Sequence, residues 1–194
     1  MITNSSIINN LSKENFYIKL YFNTKEGFEI AGIKRAYLDF SRTLHKKNET
    51  DYQRIEKRNA TENYLLSQLK TIIIANISSQ KEFDLLHKKI TLNLVRFWKK
   101  LTIGQSQKWI NMSLKYWLLF GEKRILNIEK NARFFHIPID SYVQKGMFNE
   151  KNPRPWSKIN EYEVYMNYQI RHREKKTGNY PLIDEFSFFN KYNN

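Results

Sequence analysis

The sequence predicts an all-α fold, and more specifically a two-lobed helical bundle. Seven or so segments place apolar residues three to four positions apart, which is the helical period. A single alternation of apolar and polar residues, Phe16 to Phe22, leaves a short strand pair near the N-terminus as an alternative. The 194 residues suffice for one complete core but not for several domains, and no internal repeat is visible. We therefore predict a single domain over residues 1–194.

The first half of the chain predicts two helices separated by a polar stretch. Residues 1–10 are polar, without a sustained period, and are expected to form a loosely held terminus. Apolar residues at helical spacing predict an amphipathic helix from Lys34 to Leu44. The segment 45–59 is dense in charge and poor in aliphatic residues, so a lobe boundary is expected within 45–60. A strongly apolar helix then begins at Thr61.

The second half predicts a helix-hairpin-helix over about 81–121, followed by shorter helices. Gly104 interrupts the apolar pattern between two helices, and Gly121 closes the second one. Asp140 follows a proline-containing segment and is well suited to cap a helix. The helices predicted in this half begin at Lys81, Lys108, Ser141, Ile159 and Leu182.

Charge and composition restrict the classes of partner and of chemistry. Lysine and arginine total 33 against 19 acidic residues, a formal charge of +14, which favours a nucleic acid or an anionic membrane surface as partner. A genome rich in A and T would also enrich the chain in lysine. No apolar run reaches the roughly 18 residues of a membrane span, and no signal peptide is recognisable, so a soluble cytoplasmic protein is expected. Without cysteine, and with four scattered histidines, neither a metal nor another cofactor is expected.

Two short motifs carry residues suited to chemistry on DNA. Gly104, Ser106 and Lys108 occupy alternate positions directly before a predicted helix, where small residues let backbone amides approach a phosphate. Ile137 to Asp140 then reads Ile-Pro-Ile-Asp and places a carboxylate at a helix N-terminus. The residues expected to contact DNA are Gly104, Gln105, Ser106, Gln107 and Lys115.

These motifs resemble those of the helix-hairpin-helix DNA glycosylases. That family has a Gly-x-Gly-x-Lys turn presenting a catalytic lysine, and here Ser106 replaces the second glycine. Its essential aspartate stands in an apolar-Pro-apolar-Asp motif, which Asp140 matches. The separation of 32 residues between Lys108 and Asp140, and the pair Gln107-Lys108, are closest to the archaeal 8-oxoguanine glycosylase branch. The resemblance covers roughly residues 60–145.

The resemblance implies a DNA glycosylase that binds duplex DNA, flips one nucleotide and excises its base. Lys108 would attack C1′ of the deoxyribose as a neutral amine, and Asp140 would stabilise the developing positive charge and assist the loss of the lysine proton. The resulting Schiff base could also lead to strand cleavage by β-elimination. The substrate is either an oxidised purine or a hypermodified base in phage DNA, the latter implying antiviral defence. We expect a monomer associated with DNA.

Four further residues are candidates for the pocket of the flipped base. Trp109 and Trp156 could stack on the base, Asn111 shares a helix face with Lys108, and His136 lies near the aspartate in sequence. Each has a structural alternative, since aromatic residues and lone histidines are commonly core residues.

Two other classes of function remain open at the level of sequence. In the first, the chain is a non-catalytic nucleic-acid-binding protein, Lys108 contacts phosphate and Asp140 only caps a helix. In the second, the lysines bind anionic lipid at a membrane surface. Release of a base from DNA distinguishes the enzyme from both.

Overall fold

The computed structural model describes residues 10–44 and 50–192, and within them the fold is all-α, as predicted. This described part contains no strand. It contains eight α-helices, which are α1 Asn10–Tyr21, α2 Phe28–Leu38, α3 Asp51–Ile74, α4 Gln80–Phe97, α5 Ile103–Phe120, α6 Ser141–Gly146, α7 Tyr162–Glu174 and α8 Pro181–Tyr192. Short 3₁₀ turns lie at Ser41–Thr43, Ala132–Phe134 and Trp156–Lys158.

The N-terminal alternation of apolar residues is helical, so the strand pair considered near the N-terminus is wrong. Phe16 and Leu20 lie in α1 and are largely exposed, whereas Ile18 is its one buried residue. A helix with so little buried surface has no apolar stripe to reveal it, and its alternation therefore resembled that of a strand.

The boundaries around α3 also differ from prediction. The predicted helix 34–44 begins earlier, as α2, and ends at Leu38 before a 3₁₀ turn. Residues 51–60 form the first turns of α3 instead of a linker. Thr50 begins this helix with a capping box, in which its hydroxyl accepts from the Gln53 amide and the Gln53 side chain accepts from the Thr50 amide. The rest of the predicted boundary, residues 45–49, lies outside the described residues.

Helices α4 and α5 form the expected pair joined by a short connection, but the connection lies earlier than predicted. Residues 98–102 link the two helices, and Thr102 caps α5 through a second capping box with Gln105. Gly104 therefore lies in the first turn of α5, and Lys108 lies in its second turn. The expected position of Lys108 at the very start of the helix is wrong by about one turn.

Helix α5 runs between two apolar clusters and is buried on almost every side. The larger cluster joins α5 to α2, α3 and α4 and contains three fully buried tryptophans, Trp98, Trp109 and Trp117. The smaller cluster is formed by Ile103, the segment 137–148 and α7. No helix in the described part of the chain combines the length and apolar character that crossing a bilayer requires.

Candidate active site

Lys108 and Asp140 form an ion pair in the structure. The Lys108 Nζ donates to Oδ2 of Asp140, the residue immediately before α6. Their side chains are only 7% and 22% exposed. A pair so far removed from water is less screened than a surface pair, and both groups are held in one geometry. The two residues that the motifs matched are therefore in direct contact.

Asp140 has a second role at the start of α6. Its Oδ1 accepts a hydrogen bond of 2.9 Å from the amide of Val143, which is the geometry of an N-cap. One carboxylate thus uses one oxygen for the helix and the other for Lys108. The predicted cap at Asp140 and helix start at Ser141 are both confirmed.

Two buried glutamines hold the backbone of the Ile-Pro-Ile-Asp segment from opposite helices. Gln107 of α5 accepts from the amide of Ile139 at 3.1 Å and donates to its carbonyl at 2.8 Å. Gln169 of α7 does the same for Ile137, at 3.1 and 2.9 Å. Each side-chain amide satisfies both polar groups of one backbone residue, as a neighbouring strand would. This clamp fixes the position from which Asp140 reaches Lys108.

A buried polar network continues behind the clamp and includes the histidine before it. His136 Nδ1 lies 2.7 Å from the Tyr165 hydroxyl, and His136 Nε2 lies 2.8 Å from Asp84 Oδ1. Arg173 donates to both oxygens of Asp84 at 2.8 Å. His87 lies beside His136, with ring centroids 4.5 Å apart. The network ties α4, α7 and the aspartate segment together.

The titration of this network follows from its burial. Desolvation lowers the pKa of His136 to about 4 and overcomes the opposing hydrogen bond to Asp84. Desolvation likewise lowers the pKa of His87 well below its usual value. Burial raises the pKa of Asp84, but hydrogen bonds from His136, Arg173 and Gln80 outweigh it and leave this pKa lowered. At neutral pH the histidines are therefore uncharged and Asp84 is ionised.

The Lys108 ammonium has an aromatic neighbour, and its charge also influences a second carboxylate. The centroid of the Trp156 ring lies 5.7 Å from Nζ, within the range of a cation–π contact. The positive charge of Lys108 also acts on the carboxylate of Asp39. Burial raises the pKa of Asp39, and a hydrogen bond from Tyr116 and the charge of Lys108 oppose this rise. The Lys108–Asp140 pair thus has an aromatic ring beside it.

The residues predicted to contact DNA through the hairpin are buried instead. Gly104, Gln105, Ser106 and Gln107 have little or no exposed surface. The amide of Gly104 donates to the Ile159 carbonyl, and the amides of Gln105 and Ser106 bond to Thr102. Since these donors already have partners inside the protein, they offer no phosphate site in this structure. The sequence Gly-x-Ser-x-Lys serves packing here.

The close approach of the Trp156 turn explains why a glycine occupies position 104. A Cβ on Gly104 would lie 1.8 Å from the Trp156 carbonyl oxygen, far inside van der Waals contact. The Gly104 amide bonds to Ile159 at 2.9 Å from the same side. Glycine is therefore required for the 3₁₀ turn Trp156–Lys158 to pack on α5, which in turn brings the Trp156 ring near Lys108.

Lys115 is also buried, in contrast to its predicted role as a phosphate contact. It lies two turns after Lys108 on α5, and its Nζ is 2.6 Å from Glu185 Oε2 of α8. The side chains are 9% and 6% exposed. The Phe186 and Phe189 rings lie 4.8 and 5.3 Å from the ammonium. Lys115 is thus engaged in holding α8 on α5.

Three of the four candidates for the base pocket belong to the protein interior. The Trp109 indole N–H donates to the Ile33 carbonyl, and the ring packs in the larger cluster. Asn111 donates to the Tyr165 hydroxyl at 2.9 Å and is part of the buried network, as is His136. Among the four, Trp156 remains partly exposed near Lys108.

No pattern in the sequence links Asp39 to the charge of Lys108 or marks Gln107 and Gln169 as a clamp. Asp39 follows α2, and its charge had no apparent link to a lysine on another helix. Gln169 lies 32 residues after its partner Ile137, within a polar helix of unremarkable pattern. A glutamine facing the core gives no signal in sequence unless its apolar neighbours fix the buried face.

Comparison of the chain with protein-family models, with curated proteins and with solved structures finds no match. The functional assignment of the Lys108–Asp140 pair therefore depends on its geometry and on the two motifs that place these residues together. The packing of Gly104 and the glutamine clamp supply independent structural reasons for most of the motif residues.

Proposed function

We propose that this protein is a DNA glycosylase in which Lys108 is the nucleophile and Asp140 its acid–base and electrostatic partner. The observation that carries the proposal is the contact between these two side chains, one from each motif, in a site with little solvent. A carboxylate in contact with an amine can accept its proton and then stabilise positive charge on a sugar. The expected substrate is duplex DNA with an oxidised purine or a hypermodified base.

The proposed reaction begins with transfer of a proton from the Lys108 ammonium to Asp140 Oδ2. The neutral amine then forms a bond to C1′ while the bond between C1′ and the base breaks, and the electrons of that bond leave with the base. The base takes the proton from Asp140. Opening of the sugar ring moves a proton from the nitrogen to O4′ and leaves a Schiff base, which water hydrolyses unless β-elimination occurs first.

The exposure of the pair is consistent with a flipped substrate. Only 7% of the Lys108 side chain is exposed, so a nucleotide within a stacked duplex cannot reach it. Extrusion of the nucleotide would bring C1′ to the pair, and the partly exposed Trp156 ring beside Nζ offers an apolar surface to the extruded group. Entry requires some movement of the groups around Lys108.

The test is incubation with duplexes that carry different base modifications, followed by chromatography of the released bases. Wild-type protein is expected to release one class of base and to leave abasic sites. Lys108→Ala is expected to release none while binding duplex within a few fold of wild type, since the protein retains most of its positive charge. Wild-type turnover by Lys108→Ala contradicts the proposal.

A second candidate is a non-catalytic nucleic-acid-binding protein, favoured by the second role of Asp140. Because its carboxylate caps α6 and neutralises a buried lysine, the same pair could exist for stability alone. Duplex binding by wild-type protein, with no base released from any modified duplex, would support this function.

A further inference from the structure

A surface cavity lined by three arginines lies between the end of α2 and the start of α3. Its volume is about 320 Å³, and its lining consists of Tyr37, Ser41, Arg42, Arg54, Ile55 and Arg58. Among residues 10–44 and 50–192, no carboxylate belongs to this lining. Guanidinium groups donate pairs of N–H bonds in a geometry that matches phosphate oxygens. The cavity therefore has the chemistry of a phosphate site, and we refer to it as the arginine pocket.

One arginine is held rigidly at the wall of the pocket. The Arg58 guanidinium lies 4.2 Å from the centroid of the Tyr37 ring, and its Nε donates to Glu62 at 2.6 Å. Glu62 is 2% exposed and cannot swing away from this bond. Because the bond to Glu62 uses Nε, the terminal nitrogens of Arg58 keep donors for a second acceptor. A preoriented guanidinium loses little entropy on binding an anion.

The guanidinium groups of the other two arginines, Arg42 and Arg54, can bind an anion without losing a strong ion pair. Arg54 lies 2.9 Å from Asp51, but Asp51 is 86% exposed, and such surface pairs contribute little. Arg42 is exposed and has no ion pair among residues 10–44 and 50–192. The buried Glu62 compensates Arg58, so the pocket keeps an excess of positive charge that an incoming phosphate can neutralise.

The pocket includes a 3₁₀ turn that is hydrogen-bonded to α5, the helix that carries Lys108. Thr43, in the same 3₁₀ turn as Ser41 and Arg42, accepts two hydrogen bonds from Gln105 Nε2, at 2.9 and 3.1 Å. Gln105 is three residues before Lys108 on α5. On the other side of this turn, Asp39 interacts with the charge of Lys108. The pocket is therefore fixed to the helix that carries Lys108.

We propose that the arginine pocket binds a backbone phosphate of the DNA strand that carries the extruded nucleotide. This inference rests on the proposed function for its ligand, but it concerns separate residues. Contacts to backbone phosphates fix the register of a protein on DNA without reading sequence. The pocket would thus anchor the strand while the flipped nucleotide reaches Lys108.

The test measures binding of an unmodified duplex by fluorescence anisotropy at several salt concentrations. Arg54→Gln and Arg42→Gln are each expected to weaken binding about five- to tenfold at low salt and to reduce the slope of log K against log salt by about one. Neither substitution leaves a buried carboxylate without its partner, so both variants should fold. Circular dichroism checks this.

Arg133→Gln is the matched control. It removes the same charge from a residue outside α3 that lies near the C-terminal end of that helix. Arg133 is exposed, and its neighbour Asn131 donates to the carbonyls of Ile72 and Ala75. Eighteen residues of helix separate Ile72 from Arg54, a distance of about 27 Å. The control is expected to bind within twofold of wild type with an unchanged slope. Equal losses in Arg133→Gln and Arg54→Gln would overturn the pocket.

Two further measurements distinguish DNA binding at the pocket from lipid binding, and the pocket from the catalytic proposal. Flotation with phosphatidylserine vesicles tests lipid phosphate, and a loss of vesicle binding in Arg54→Gln without loss of duplex binding overturns the DNA proposal. Base release by wild type and Lys108→Ala is measured separately. If the arginine variants lose duplex binding while base release proves independent of Lys108, the pocket stands and the catalytic proposal fails. If base release requires Lys108 and the arginine variants bind duplex normally, the catalytic proposal stands and the pocket fails.

Discussion

Substitution of Asp140 separates its two roles, because each carboxylate oxygen serves a different partner. Asp140→Asn keeps an oxygen that can accept from the Val143 amide and removes the charge opposite Lys108. Asp140→Ala removes both interactions. The difference between the two variants therefore measures the cap, and the loss common to both measures the ion pair.

The expected magnitudes follow from burial. Breaking a buried ion pair costs about 3–5 kcal/mol, and the low end applies here because Asp140 is 22% exposed. We therefore expect Asp140→Asn to lower the free energy of unfolding by about 3 kcal/mol, and Asp140→Ala by about 4 kcal/mol, since a cap contributes about 1 kcal/mol. Base release should fall by orders of magnitude in both.

Addition of Lys108→Met to Asp140→Asn completes the experiment. The apolar side chain removes the unpaired buried charge, so the double variant should be about 2 kcal/mol more stable than Asp140→Asn alone, yet equally inactive. Urea unfolding at pH 7, followed by tryptophan fluorescence, measures wild type, the two Asp140 variants, Lys108→Met and the double variant. A double variant that loses as much stability as Asp140→Asn and Lys108→Met together would refute the ion pair as the source of the stability. Activity that falls only in proportion to stability would refute the catalytic role.

Three further predictions concern the groups that support this pair. Gly104→Ala forces a Cβ against the Trp156 carbonyl and should lower the free energy of unfolding by about 2–4 kcal/mol. Ser106→Ala removes a buried hydroxyl without a hydrogen-bond partner and should leave the free energy of unfolding nearly unchanged. Similar values for both variants would contradict the close packing of Gly104 on the Trp156 turn. Gln107→Met leaves the backbone amide and carbonyl of Ile139 unpaired and should lower the free energy of unfolding, measured in urea, by about 2–4 kcal/mol. It should also abolish most base release. Full activity would show that the clamp does not position the site. The pKa of His136 falls from 6.5 to about 4 on folding, so the unfolded chain takes up this proton first as the pH drops. The free energy of unfolding should therefore decrease by about 3 kcal/mol between pH 7 and pH 4. An equal dependence of the free energy of unfolding on pH in His136→Gln and in wild type would contradict this.

The sequence contained enough information to predict the fold class and the pair at the centre of the site. Apolar periodicity located α4, α7 and α8 to within a few residues, because these helices bury a face. It did not locate α1 or the first turns of α3, whose residues are largely exposed. For α3, the Thr50–Gln53 capping box was the available signal, and the density of charge after it obscured the helix.

The interpretation of the Gly104 turn shows why a motif alone is ambiguous. Glycine and serine before a lysine are compatible with a phosphate contact and also with close helix packing, and the choice depends on what lies opposite. Here the Trp156 turn occupies that space, so the amides are buried. The Thr102–Gln105 capping box would have placed the helix start correctly.

The buried network was beyond sequence analysis for a different reason. Asp84 meets Arg173 across 89 residues and His136 across 52, and neither spacing has a local signature. Such contacts depend on the packing of three elements. Their effect is nevertheless local to the site, because they anchor the segment that ends at Asp140.

Borohydride trapping on a duplex with a single abasic site tests directly whether Lys108 is a nucleophile toward C1′. The abasic sugar exposes its C1′ aldehyde, so a neutral lysine forms the Schiff base with it and the test does not require the base that is released to be known. We expect a covalent adduct with wild type and with Lys145→Ala, which changes an exposed lysine of α6, and none with Lys108→Ala. An adduct of undiminished yield in Lys108→Ala, with all three proteins folded, would show that Lys108 is not the nucleophile.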